Sequence, residues 1–224
     1  HKRGGVMTYT VKIHQSEDEI LLLESQPQIA KQVINTGAEV VEVRVVDPGD
    51  ISSDQRRKAR ALAGEIALWS GHPPDYIHDF MKHDFCVKND VDWFSLRDCD
   101  MTTARLYITY LIDFCIYHGV PTKQPLYAFC DDLEAMVYSC LARRKCAVHN
   151  TAGADIHHCT GSRVGMGRDR KTIIHEGLVC LPLCRTCHDQ CHKSELDFLE
   201  KHHLTGLPLD KYLCLKLGMN ATAD

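Results

Sequence analysis

"CLPLCRTCHDQCH", residues Cys180–His192, packs four cysteines and two histidines into one short stretch. Thiols at that density pair as disulfides, hold a structural metal or build a reactive site. The stretch cannot decide alone, because a closed metal site needs ligands from elsewhere in the chain. Two pairs have the required spacing. "CRTC" (Cys184, Cys187) and "CAVH" (Cys146, His149) each separate two donors by two residues, and two such knuckles far apart in sequence can converge on one tetrahedral Zn2+. Cys159, Cys180 and Cys191 stand as alternative donors, and free thiols are the plainer reading of all of them.

The bulk composition narrows the choice. A chain of 224 residues with 12 cysteines is long enough to build a core without disulfides. Its opening, "HKRGGVMTYT", has basic residues with no apolar segment behind them, unlike a secretory signal. Residues 1–6 read as an expression remnant ahead of Met7. A cytoplasmic protein is therefore expected, where Cys–His clusters bind metal more often than they form disulfides. No apolar run approaches the roughly 20 residues that cross a bilayer. The net charge of −4 does not mark a nucleic-acid binder. Local charge does more: Arg143, Arg144, Lys145, Arg163, Arg168, Arg170 and Lys171 face only Asp155 and Asp169 between Leu141 and His175. That excess can track a phosphate backbone or can be a solvated basic loop.

Between Cys146 and His192, two histidine pairs lie outside the proposed zinc set. In "DIHHCTG", His157 and His158 are adjacent, so on a strand they point to opposite faces. His188 and His192 are four apart and share one face of a helix. His157, His188 and His192 then make a three-imidazole metal site with an open position for phosphate or water, and His158 is left to act as a general base.

Patterning along the chain predicts an α+β fold. Residues 6–13, 19–24 and 38–47 read as strands of a small antiparallel sheet, with a short helix over 27–37. Helices follow: one capped by Ser53 and ending near Gly71, one opened by Pro74, a buried one over Thr102–His118, and one over Asp131–Lys145. Cys86, Cys99, Cys115, Cys130 and Cys140 read as small buried hydrophobes. Residues 189–203 read as one helix with Leu196 and Leu199 inward. Beyond Cys146 large apolar residues are few, so metal substitutes for core. The expected division is residues 7–140 as a small antiparallel sheet followed by helices, then residues 141–224 as a metal-stabilised domain.

"IHHCTG", "GMGRDR" and "HEGLVCLPLCRTCHDQCH" together resemble the HNH (ββα-metal) nuclease motif of bacteriophage nucleases. The resemblance implies an endonuclease that hydrolyses DNA phosphodiesters, with His157 a ligand of the catalytic ion, His158 the base, and His188 and His192 the helix ligands. It leaves that ion open among Mg2+, Mn2+, Ni2+ and Zn2+. The motif's central Asn is missing, since no Asn occurs between Asn150 and Asn220, and His175 is the stand-in. Arg163, Arg168, Arg170 and Lys171 would hold phosphates.

"ISSDQRRKARALAGEIA" (Ile51–Ala67) resembles the phage Orf/NinB recombination mediators. That implies a homodimer on single-stranded or branched DNA, working beside a single-strand binding protein and a recombinase, with Arg56, Arg57, Lys58 and Arg60 on phosphate. Trp69, Trp93 and Phe94 either stack bases or fill core. Two other classes remain open from sequence. One is a non-cleaving single-stranded-DNA-binding mediator with a structural zinc module, in which His158 is dispensable. The other is a structural zinc module for protein contacts.

Overall fold

The computed structural model describes residues 12–15, 21–24, 49–164 and 173–222. The strand expected over 38–47, the helix over 27–37, and Arg168, Arg170 and Lys171 lie outside the described residues. The chain divides into two compact units, residues 1–46 and 47–224. In the first, β1 (Lys12–Gln15) pairs antiparallel with β2 (Leu21–Glu24), with Lys12 opposite Glu24 and Gln15 opposite Leu21.

The second unit carries, among its described residues, seven α-helices and a three-stranded antiparallel sheet, the α+β architecture expected. Helix α1 (Ser53–Ser70) is capped by Ser52 rather than Ser53: the Ser52 hydroxyl accepts from Gln55 N–H while Gln55 Oε1 accepts from Ser52 N–H, a reciprocal capping box. Its buried stripe is Ala59, Leu62, Ala63 and Ile66, spaced for one helical face. The stripe packs on α2 (Pro74–Asn89) and α3 (Met101–His118). Each large aliphatic in it contributes about 1.5–3 kcal/mol by leaving water. Pro74 opens α2, where its missing N–H costs nothing, and Gly119 closes α3 in the left-handed conformation at φ 69°. Tyr107, Ile108, Leu111, Ile112, Cys115 and Ile116 make α3 the centre of the core. Cys86, Cys99, Cys115 and Cys140 are buried as expected, while Cys130 is half-buried. No helix among the described residues is long and apolar enough to cross a membrane.

A helix links this bundle to the cysteine-rich segment. Helix α4 (Leu133–Arg143) packs on α3 on one side, and on β4 (Val179–Leu183) and α7 (Lys211–Leu217) on the other. The boundary expected after residue 140 lies within α4, which packs against elements of both halves. The sheet is β3 (Asp155–His158), β4 and β5 (Leu207–Pro208), with β4 central. His157 lies opposite Leu181 and His158 opposite Cys180.

The single helix expected over 189–203 is two: α5 (Arg185–Lys193) and α6 (Glu195–His202). Ser194 between them is extended (φ −154°, ψ 97°), and its hydroxyl donates to Asp197 at 2.6 Å. The break resets which side faces inward. Phe198 is buried and Leu199 half-buried, whereas Leu196 is 80% exposed, contrary to the unbroken-helix reading. Gly206, leading into β5, is held by space: a Cβ there would lie 2.5 Å from Cys159 Sγ and 2.8 Å from Val179 Cγ1. Gly206→Ala is expected to destabilise the protein by about 1–3 kcal/mol through overpacking, read as a lower denaturant midpoint at unchanged slope.

Candidate metal centres and active site

Helix α5 supplies ligands to two separate clusters. Its N-cap, Cys184, and its first turn, Cys187, meet Cys146 and His149. The second pair is delivered by a knuckle that leaves α4 through Arg144 in the left-handed conformation. Cys146 N–H donates to Thr151 O and Asn150 N–H to Cys146 O, closing the knuckle, and Ala147 N–H donates to Pro182 O, tying it to β4. The four ligand atoms all lie within 4.8 Å of one another, and His149 Nδ1 is 3.4 Å from the sulfurs of both Cys184 and Cys187. Zn–S bonds of ~2.3 Å and Zn–N bonds of ~2.0 Å would place tetrahedral donors at such separations, so this set fits a structural zinc. Although burial opposes it, the backbone N–H of Cys187 and the neighbouring His149 hold the Cys184 thiol down at about 7, while burial pushes Cys146 and Cys187 up. One thiolate is thus favoured without an ion, and the remaining thiol protons would be released on binding.

On the same helix, His188, which follows Cys187 directly, and His192, one turn on, face β3. Strand alternation turns His157 inward, 1% exposed, and its ring centroid lies 5.1 Å from that of His188 and 4.8 Å from that of His192. The three imidazoles offer ligand atoms within 4.8 Å of one another, and His192 leaves the cluster open to solvent. Burial pushes His157 down to about 4, reinforced by His188 and His192, and burial likewise lowers His188. Both rings are neutral at physiological pH and can donate lone pairs to a cation. Asp155 Oδ2 stands 3.5 Å from His188 Nδ1.

The next residue points the other way. The His158 ring is 5.5 Å from that of His175 across the opposite face of β3. His175 sits in the loop before β4, and segment 220–222 fastens that loop: His175 N–H donates to Asn220 O, Asn220 Nδ2 to Ile173 O, and the Thr222 hydroxyl to Glu176 Oε2. The residue expected to replace the missing Asn therefore stands beside the expected base.

The expected DNA contacts are placed differently from one another. Arg56 donates to Leu96 O and Arg97 O, Arg57 pairs with Asp54, and Lys58 bridges Asp54 and Asp131. Three of the four basic residues on α1 thus serve intramolecular bonds, while Arg60 is exposed. Arg163 is exposed but ion-paired with Glu195 at 3.2 Å. Lys82 covers the ring of Trp93, Trp69 packs edge-on against Phe114, and Phe94 packs against Phe85 and Tyr107. Asp155 and Glu195, both beside the imidazole cluster, carry no motif of their own. The only sequence signal for Glu195 is its position three residues after His192.

A strand–strand–helix unit bringing two adjacent histidines and a His-x3-His helix together is the layout of a metal-binding ββα nuclease site. The family described as "Putative HNHc nuclease" matches residues 23–217, and the chain belongs to it. No curated protein and no solved structure matches the chain.

Cys187→Ser is expected to remove one equivalent of bound zinc and lower the melting temperature by roughly 10 °C or more, since a structural zinc contributes folding free energy outright. Mass spectrometry under native conditions and a thermal scan check both.

Proposed function

We propose that the chain is a metal-dependent DNA endonuclease, with His158 as general base and His157, His188 and His192 as the ligands of the active ion. One observation carries this reading: β3 sends His157 to two helix histidines and His158 to the opposite face beside His175. His158 takes a proton from the water that attacks the phosphodiester, and a neutral imidazole can do so near pH 7. His175, fastened by segment 220–222, orients His158 or the scissile phosphate. A divalent ion at the three imidazoles would stabilise charge building on the phosphate and on the departing oxygen. The imidazole set suits Zn2+, Ni2+ or Mn2+, and Mg2+ remains compatible with the chemistry. Cys146, His149, Cys184 and Cys187 hold a zinc that fixes the start of α5 and so places His188 and His192.

The setting within this reading is bacteriophage recombination or DNA processing, on the strength of the resemblance of Ile51–Ala67 to the Orf/NinB mediators. Residues 7–140 would then supply single-stranded or branched DNA binding and a homodimer contact, and residues 141–224 the cutting. Binding would run beside a single-strand binding protein and a recombinase. Arg60 is the α1 residue best placed for phosphate, because Arg56, Arg57 and Lys58 are already engaged. Arg163 reaches DNA by leaving an exposed ion pair, a small cost.

The test is incubation with supercoiled and single-stranded DNA and each of Mg2+, Mn2+, Ni2+ and Zn2+, beside His158→Ala. Metal-dependent cleavage should fall about 10²–10⁴-fold in the variant, the usual contribution of a general base. Cleavage that survives in the variant removes His158 from the role. DNA binding without cleavage by either protein makes the chain a non-cleaving mediator.

A further inference from the structure

The imidazole cluster has a second side that the proposed chemistry does not use. Behind His157, away from solvent, stand Cys191 and Glu195. His157 Nε2 is 3.4 Å from Cys191 Sγ and 3.7 Å from Glu195 Oε2, while its other ring nitrogen, Nδ1, is buried with no hydrogen-bond partner. Glu195 is not a casual neighbour. Thr160 N–H donates to its Oε1 at 2.7 Å, the Thr160 hydroxyl to Oε2 at 2.7 Å, and Arg163 Nη2 to Oε2 at 3.2 Å. The carboxylate, carried by the first residue of α6, is therefore fixed by the turn that follows β3, the strand that carries His157.

We infer that Glu195 is a positioning residue for His157, holding the ring proton on Nε2 so that Nδ1 presents its lone pair to the active ion. The reasoning is electrostatic. A neutral imidazole carries one N–H, and a fixed negative charge beside one ring nitrogen favours the tautomer with the proton there. At 3.7 Å the pair is a charge–dipole contact, with the Cys191 sulfur as the nearer acceptor for the same N–H. Metal-ligating histidines generally have a partner for the second nitrogen, and Glu195 with Cys191 fills that place for His157. The inference explains why a helix breaks at Ser194 only two residues after His192. Restarting at Glu195 puts a carboxylate at the N-terminus of α6, where Thr160 can reach it.

This inference rests on His157, His188 and His192 being the ligands of the active ion, and the experiment separates the two claims. The full chain, with its four-ligand site loaded with zinc, is titrated with Co2+, whose visible spectrum reports binding, for wild type, His192→Ala, Glu195→Gln and Glu195→Ala. The 15N shifts of His157 in the zinc-loaded wild type report which nitrogen is ligated. Expected are wild-type binding that His192→Ala abolishes, a loss of about 10- to 100-fold in Co2+ affinity for both Glu195 variants, and a ligated Nδ1 with a protonated Nε2. Glu195 variants that lose thermal stability but bind Co2+ as wild type does would reduce Glu195 to a structural clamp and overturn the inference alone. Nε2 ligation, or a third metal equivalent lost with Glu195, would also overturn it by making the carboxylate a ligand. Failure of the wild type to bind, or indifference to His192→Ala, would overturn the ligand set itself and the inference with it.

Discussion

Two consecutive residues on a strand must face opposite ways, and the arrangement around β3 depends on that constraint. Pairing β3 with β4 sets His157 opposite Leu181 and His158 opposite Cys180, so a shift of one residue would exchange the two histidines between faces. Register is held from several directions. The knuckle bond from Ala147 to Pro182, the buried Leu181 and Leu183, and the Thr160–Glu195 contact after the strand each fail if the pairing slips. A four-residue strand has little stability of its own, so these side contacts are what make its register definite.

Helix α5 extends the same economy. Its N-cap Cys184 and first-turn Cys187 meet one cluster while His188 and His192 meet the other, so one rigid element connects the two. Nine residues is short for a helix, below the length at which an isolated helix holds together in water. Its anchoring comes from Cys187 and Cys191, both buried, and from the sheet it crosses. Thiols here play three physical roles. Cys115 and Cys140 fill core, with their ionisation disfavoured by burial; Cys146, Cys184 and Cys187 gather around His149; Cys191 backs His157.

Much of this was legible in the residues because the signals were local. The capped helices, the two knuckles and the i, i+4 histidines each follow from spacing alone, and the family match agrees with the resemblance of the IHHCTG and CRTCHDQCH segments to HNH nucleases. What stayed hidden depends on contacts distant in sequence. The α5–α6 break falls where Thr160 bonds Glu195 across 35 positions, in a pattern that reads as continuous helix. The bonds of the basic turn of α1, from Arg56 to Leu96 O and Arg97 O and from Lys58 to Asp131, likewise span distances that spacing does not show. The division into a helical half and a cysteine-rich half follows the change of composition at Cys146, and composition does not show that α4 packs against elements of both.

The fastening of the His175 loop by Asn220 and Thr222 has a consequence for the order of events during synthesis. His158 and the helix histidines emerge from the ribosome some tens of residues before segment 220–222, so strand and helix can associate while the His175 loop is still untethered. The β3–β4 ladder and the imidazole cluster draw on no residue of that segment, whereas the setting of His175 beside His158 does, so the two faces of β3 depend on different lengths of chain.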